Sequence, residues 1–407
     1  MISWMKILSK GKSKTNENPV DMSMKEQQTY VSFLRYSLER ETAQLPAGLD
    51  KMNWQGLFDF SQRHCVLGVV FEAIARLDKS VPHPHTALLM KWFSFCEHVK
   101  KTNMRINAEA VALSKRFSKD GFRSCILKGQ GNTTMYPNPL ARMPGDIDVW
   151  VEGKEADILN YARQYDAKAI ANYHHVQLEI KGVSTVVEIH FTPSFCGNLF
   201  YNARMRKYFA THAEQQFEHK VALPDGVGEI SIPTPGFNRI FQLSHTMHHF
   251  FFEGIGLRQI VDYYYLLKID LSDEEKEEEV KALKYLGMYK FATAMMYVQH
   301  EVLGLDTKYM SVQPDEKLGK LFLKEILQAG NFGFYDERYH FTGKSRVGQY
   351  LLEVFRNLHY AWYYPGEAIF GRPIFRIWHQ FKKRSIENEA ERCTKIWDDF
   401  DPVINVG

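Results

Sequence analysis

Two aspartates two residues apart, Asp146 and Asp148 in GDIDVWVEG, stand at the head of an apolar run. If the run is a strand, positions i and i+2 share a face and both carboxylates point the same way. Carboxylates held side by side repel, and a divalent cation, a proton or water must relieve that repulsion. A third carboxylate, Glu188, interrupts a second apolar run, TVVEIHF. There it is costly against a core, and it becomes tolerable if it faces the same metal as the two aspartates. His190, two places on, would share its face. Upstream, ILKGQG carries a strand-like run into a turn, where Gly129 and Gly131 allow backbone amides to approach phosphate oxygens closely. Carboxylates holding one or two Mg²⁺ (or Mn²⁺) beside such a turn suit phosphoryl or nucleotidyl transfer, because the metals neutralise phosphate charge and activate the attacking hydroxyl.

Several other polar residues have two readings each. Arg142, four residues before the aspartate strand, either clamps phosphate oxygens bidentately or faces solvent from a loop, and Lys128 at a strand end has the same two readings. In Ser-His-Thr-Met-His-His, His245 lies one helical turn from both His248 and His249. An i, i+4 histidine pair can bind zinc, but the His-Glu-x-x-His order and a third ligand are missing. These histidines therefore read as hydrogen-bonded helix residues or pocket walls, with His245 the foremost contributor. Arg258 and Asp262, four apart, can pair along one helix and fix its docking, or Arg258 can reach phosphate.

Positioning these groups requires a helical front, a strand core and a helical back. Helical periodicity covers 26–41, with Tyr30, Phe33, Leu34 and Leu38 on one side. A helix or helix pair with a break near His64 covers 54–77, and a long helix covers 85–117, capped by Gly121. Strands follow at the SCILKG and DIDVWV runs, with a helix over 155–165 and an antiparallel hairpin formed by 174–180 and 185–191. Beyond Pro193 helical patterns prevail at 199–217, 237–252, 257–268, 289–302, 316–328 and 346–362, with another helix opening at Ser272; 226–233 reads as a short strand or loop. The aromatic and basic stretch YAWYYPGEAIFGRPIFRIWHQFKKRS reads first as a helix packed by its aromatics with a solvated basic end, and second as a weak membrane-surface contact.

The 407 residues, 45% apolar, suffice for two or three domains with buried cores. A net charge of +3 disfavours nucleic acid as the partner. Five dispersed cysteines without a CxxC argue against a disulfide framework or structural zinc site, and for reduced thiols in a cytoplasm. No apolar run approaches the ~20 residues that span a bilayer. Residues 1–24 read as a flexible lead-in rather than a signal peptide.

Taken in order, Leu127-Lys128-Gly129, Tyr136-Pro137, Arg142, Asp146-Ile147-Asp148, Val187-Glu188-Ile189-His190, His245 to His249 and Gly256-Leu257-Arg258-Gln259 through Asp262 form a series over about 25–270. This series resembles the uncharacterised nucleotidyltransferases of the DNA polymerase beta-like superfamily, of the kind associated with bacterial polysaccharide-biosynthesis loci. The resemblance implies an α+β fold: a small mixed β-sheet nucleotidyltransferase core (121–233) flanked by N-terminal (25–120) and C-terminal (234–407) helical segments. It implies Asp146, Asp148 and Glu188 as metal ligands and catalytic groups, and an NTP donor. It also favours contacts to the nucleotide from Lys128, Gly129, Gly131, Arg142, His245 and Arg258. The acceptor is an unspecified hydroxyl compound. The turn departs from the superfamily's Gly-Ser or Gly-Gly form, and Thr133, Thr134 or Lys128 would stand in for the missing serine hydroxyl. The competing function is a non-catalytic nucleotide-binding or scaffold protein in envelope polysaccharide assembly.

Overall fold

A computed structural model describes residues 24–39, 44–336, 338, 345–393, 397 and 400–406. Apart from Met24, the lead-in expected over 1–24 lies outside these residues. Four helices open the chain: α1 (Met24–Leu38), α2 (Trp54–Arg63), α3 (Leu67–Ala75) and α4 (Thr86–Lys119). The periodic residues Tyr30, Phe33, Leu34 and Leu38 are all buried. The break between α2 and α3 falls at His64 and Cys65, where Cys65 takes φ +56°. α4 starts on the His85 ring, which accepts from the Leu88 amide at 3.3 Å, and Gly121 follows its end at φ +84°. A left-handed residue just past the last turn is the common way for a helix to stop.

The sheet is small and mixed. It comprises β1 (Ser124–Ile126), β2 (Ile147–Val151), β3 (His175–Leu178) and β4 (Val187–His190). The spatial order is β1-β2-β4-β3, with β2 parallel to β4 and both outer strands antiparallel to their neighbours. Between β1 and β2 lies the short helix α5 (Gln130–Thr133), and α6 (Glu155–Tyr165) follows β2. The expected hairpin is therefore present as β3 and β4.

Some boundaries differ from the periodicity. The helix expected over 199–217 is two, α7 (Leu199–Thr211) and α8 (Ala213–Glu218), broken at His212. The segment after it forms a two-stranded ribbon, β5 (Lys220–Ala222) with β6 (Glu229–Ser231). A three-residue strand is too short for its alternation to register in sequence. Then come α9 (Pro235–Phe252), α10 (Leu257–Leu267), α11 (Asp273–Tyr285), α12 (Tyr289–Tyr297), α13 (Glu316–Ala329), α14 (Arg346–Asn357) and α15 (Gly371–Glu391). α11 begins in a capping box between Ser272 and Glu275. α12 widens into a five-residue π turn, Val298–Val302, and α14 tightens into a 3₁₀ turn, Leu358–Tyr360.

Two apolar cores result. Residues from α1–α3, the front of α4 and the helices from α7 onward merge into one, including Phe33, Trp92, Phe241 and Phe322. The sheet, the back half of α4, α6 and the C-terminal Ile386 and Ile404 form the other. The helical segments that flank the strands in sequence thus pack together in space. Among the described residues all five cysteines are unpaired, and no helix is long and apolar enough to cross a membrane.

One backbone contact sets the loop that carries Arg142. Gly68 on α3 lies so close to it that a Cβ there would fall 2.1 Å from the Ala141 carbonyl oxygen. Gly68→Ala should cost roughly 1–3 kcal/mol of stability through this overpacking, read as a lower midpoint in urea unfolding.

Candidate active site

β2 runs through the sheet's interior, so the residues on its face meet neighbours on both sides. In the parallel register Asp148 lies directly opposite Glu188, and Trp150 opposite His190. The Lys128 Nζ is 3.0 Å from Asp148 Oδ1 and 2.9 Å from His245 Nε2. The His190 Nε2 donates to Asp148 Oδ1 at 3.1 Å and lies 3.6 Å from Glu188 Oε2. His175 Nδ1 approaches the same Glu188 oxygen at 3.8 Å.

Burial opposes every charge in this cluster; at Asp148, Glu188, Lys128 and His190 the partners outweigh it, and at His175 burial prevails and lowers the ring. Burial pushes the Asp148 carboxyl up, but Lys128 and His190 hold it below its usual range. Glu188 is likewise pushed up by burial, and His190 and His175 bring it down to about 2. Burial lowers Lys128, yet Asp148, Asp146 and Glu188 raise it above its ordinary value. His190 is raised by Asp148 and Glu188 against the same opposing desolvation. His245 behaves differently: burial, then Lys128 and His249, push its pKa well down, so the ring is neutral. Because Nε2 accepts from Lys128, its proton belongs on Nδ1.

Three carboxylates thus lie around one ammonium, Lys128, and the His190 imidazole. Asp146 lies one residue before β2, beside the pocket, and makes no hydrogen bond or ion pair among the described residues. Asp148, Glu188 and His190 offer ligand atoms within 4.8 Å of one another; Asp146 lies outside that group, because it precedes the paired part of the strand. Excess carboxylate charge presented by hard oxygens, with one imidazole, fits a divalent cation of the Mg²⁺ or Mn²⁺ kind. His174, His175 and His190 also bring nitrogens within 4.8 Å, and the Nδ1 of each is buried without a hydrogen-bond partner.

A match to a family model covers residues 50–304, well over half of the chain, and its description is uncharacterised nucleotidyltransferase. The chain belongs to that family. No curated protein and no solved structure matches it.

In this nucleotidyltransferase the pocket beside Asp146 and Asp148 is walled by Lys128, Gly129, Arg142, His245 and Arg258, together with Asp262. Glu188 is reached through Asp148 rather than from the pocket itself. Gly129 has φ +54°, a conformation that favours glycine. Gly131 faces the interior instead, where a Cβ would sit 3.0 Å from Ile232 Cγ2 and 3.3 Å from the Ile126 carbonyl, so its smallness serves packing. The Thr133 and Thr134 hydroxyls donate to the Gln130 and Gly131 carbonyls at 2.7 Å each and offer no free donor to the pocket. Of the three expected substitutes for the missing serine, Lys128 alone faces it.

Arg142 is buried rather than looped into solvent. Its Nε and Nη2 grip Asp262 at 2.7 Å each, its Nη1 donates to the Met143 carbonyl, and Tyr136 Oη adds a 2.5 Å bond to Asp262. The fork expected to hold phosphate is therefore occupied. The same pair leaves Arg258 without the intrahelical partner that its spacing suggested. Arg258 instead donates to the Met143 and Pro144 carbonyls at 3.4 Å and lies over the Phe332 ring. His249 meets His245 at 3.1 Å and Glu253 at 3.0 Å, while His248 stacks on Phe195 and Phe252.

The sequence pattern did not single out Asn132, Gln242 or Phe332 as pocket walls. Gln242 donates to Asn132 Oδ1 at 2.9 Å, which ties α9 to α5. A Gln on an apolar helix has many bland explanations, and Phe332 arrives from a turn beyond α13, so no local spacing announced either one.

Asp262 is held below the usual carboxylate range: burial raises it, and Arg142 and Tyr136 reverse that. A depressed folded pKa gives stabilisation that is present above the unfolded value and lost as pH falls. Asp262→Asn leaves Arg142 charged and buried, and should lower stability by roughly 3–5 kcal/mol at neutral pH. The gap from wild type should narrow below about pH 4, the unfolded aspartate pKa, as measured by urea unfolding at both pH values.

Proposed function

We propose that this chain moves a nucleoside monophosphate from an NTP to a hydroxyl acceptor, with Mg²⁺ or Mn²⁺ held by Asp146, Asp148 and Glu188, on a core of the DNA polymerase beta-like kind. The acceptor class is a small molecule, a glycan precursor or a protein hydroxyl, in keeping with the resemblance to polysaccharide-locus members. The observation that carries this proposal is the ionised Asp148–Glu188 pair in register beside an unengaged Asp146. This arrangement lies at a pocket in a chain of a nucleotidyltransferase family.

When bound, the cation would neutralise phosphate oxygens and make the acceptor hydroxyl more acidic. Lys128 and Arg258 are the pocket cations positioned to draw in the triphosphate, while Arg142, gripped by Asp262, braces the pocket wall. The acceptor oxygen attacks the α-phosphorus, the bond to the bridging oxygen breaks, and pyrophosphate leaves. Glu188, held at about 2, stays ionised as a ligand and is a weak base. The neutral His245 lines the pocket and accepts from Lys128 at Nε2, which holds that ammonium beside Asp148, and the acceptor proton leaves to solvent.

Calorimetry with each NTP should show binding that chelation abolishes, followed by pyrophosphate release when a competent hydroxyl acceptor is added. Asp146→Asn removes a ligand without stranding a buried cation, so turnover should fall on the order of 100-fold while the unfolding midpoint stays put. Metal-independent NTP binding, or full activity in that variant, overturns the proposal. His245→Ala removes the acceptor that positions Lys128 and should weaken NTP binding by about 10-fold in the same calorimetry.

A further inference from the structure

The helices α14 and α15 leave two apolar stripes in solvent. On α14 and the turn after it, Val347, Leu351, Phe355, Leu358 and Trp362 recur at three- and four-residue spacing; all are more than half exposed, and Trp362 is 90% exposed. On the second helix Phe370, Ile374, Ile377 and Phe381 repeat the pattern, each also more than half exposed. Such spacing puts each set on one face of its helix. The expected helix packed by its aromatics is thus only half realised: Phe375 points inward, while Phe370 and Phe381 point out. In the basic end Lys382 and Lys383 are partly exposed and Arg384 is exposed, whereas Arg372 at the start of the helix is buried on Glu353 and over the Phe252 ring.

The two stripes belong to one rigid unit. Tyr350 Oη donates to the Ile369 carbonyl at 3.0 Å, and Glu353 on the first helix holds both Arg372 and Arg376 on the second. The unit is latched to the end of α9, the helix that carries His245: Arg356 and Asn357 donate to the Phe251 carbonyl at 2.5 and 2.9 Å. The corner between the helices carries the exposed Trp362 and Phe370.

Charge identifies the occupant. From 346 to 385 the sequence holds seven Lys and Arg against two acids, Glu353 and Glu367. Both acids are buried: Glu353 on its arginines, and Glu367 accepting from the Gly197 and Asn198 amides at 2.8 and 2.9 Å. Outward charge beside the stripes comes from Arg376, partly exposed between Ile374 and Ile377, and Arg384, exposed just past Phe381; Lys382 and Lys383 pair with Glu155 and Glu387, and exposed acids return only beyond the stripes, at Glu389 and Glu391. A protein interface depletes charge around its apolar centre. An apolar face with a Trp at its corner and cations along its edge instead matches the boundary between acyl chains and anionic headgroups. Neither helix can cross a bilayer.

We infer that α14, α15 and the corner between them form a docking surface for an anionic phospholipid membrane, on which the protein lies without crossing. The inference stands apart from the proposed reaction. Co-sedimentation of the full chain with phosphatidylcholine vesicles, with and without phosphatidylglycerol, tests it. Binding is expected only to the anionic vesicles, weakening as salt is raised. It should fall about 10-fold or more in Trp362→Ser with Phe355→Ser, whose side chains already face solvent, and about 10-fold in Arg384→Glu. Circular dichroism and the unfolding midpoint should not change in these variants. Absence of binding to anionic vesicles overturns the inference, and so does equal binding to both vesicle types. A dimer that Trp362→Ser dissolves, without vesicle binding, would assign the face to a second copy instead.

Discussion

An ionised carboxylate in the interior of a sheet is an expensive thing to bury, and Asp148 is that carboxylate. Its cost is offset by a chain of charge-assisted contacts: Lys128 from the end of β1, His190 from β4, and Glu188 opposite, itself held by His190 and His175. The members come from four strands, with Glu188 and His190 sharing β4, so the strands, the glycine turn and the histidine helix must all be in place before any one charge is tolerable. Lys128 links the layers, because the same ammonium also reaches His245 on α9.

A second buried pair does comparable work for the pocket wall. Arg142 precedes β2 and Asp262 lies on α10, more than a hundred residues later, yet they meet at 2.7 Å in two places with Tyr136 as a third partner. The loop around Arg142 is also held by Asn103 of α4, whose amide donates to the Leu140 and Arg142 carbonyls, and by the close approach of Gly68. With its backbone held from two helices and its side chain from a third, this loop delivers Asp146 and Asp148 to one place. Among the described residues Asp146 makes no hydrogen bond or ion pair, which leaves it capacity for a cation beside the pocket.

Much of this was legible in advance. Helix periods, caps and breaks were clear wherever an element was long: α4, α6, α9 and α10 lie within a few residues of their patterns. The i, i+2 spacing of Asp146 and Asp148, and the oddity of Glu188 in an apolar strand, pointed to one place, and His190 was expected on Glu188's face. Of the short elements, β1 reads as a strand in the sequence and β6 falls in a stretch that reads as strand or loop, whereas β5 lies just past the end of an expected helix and is defined only by its pairing.

What the sequence by itself determined is the set of local facts: which residues are helical, which strand face carries carboxylates, and which chemistry those carboxylates suit. Partners separated by long stretches of chain were decided only by the tertiary structure. The spacing of Arg258 and Asp262 suggested an intrahelical pair, but Asp262 is held bidentately by the buried Arg142 fork, while Arg258, partly buried, turns to the Met143 and Pro144 carbonyls. Gly131, Thr133 and Thr134 looked like phosphate contacts, but packing and short-range back-bonding hold them. The opening pair of aspartates was divided in the same way: Asp148 lies inside the strand in direct contact with Lys128 and His190, and Asp146 lies just before it with no direct contact among the described residues. Periodicity gives directions along one element, whereas charge pairing is settled by whatever the other elements bring within reach.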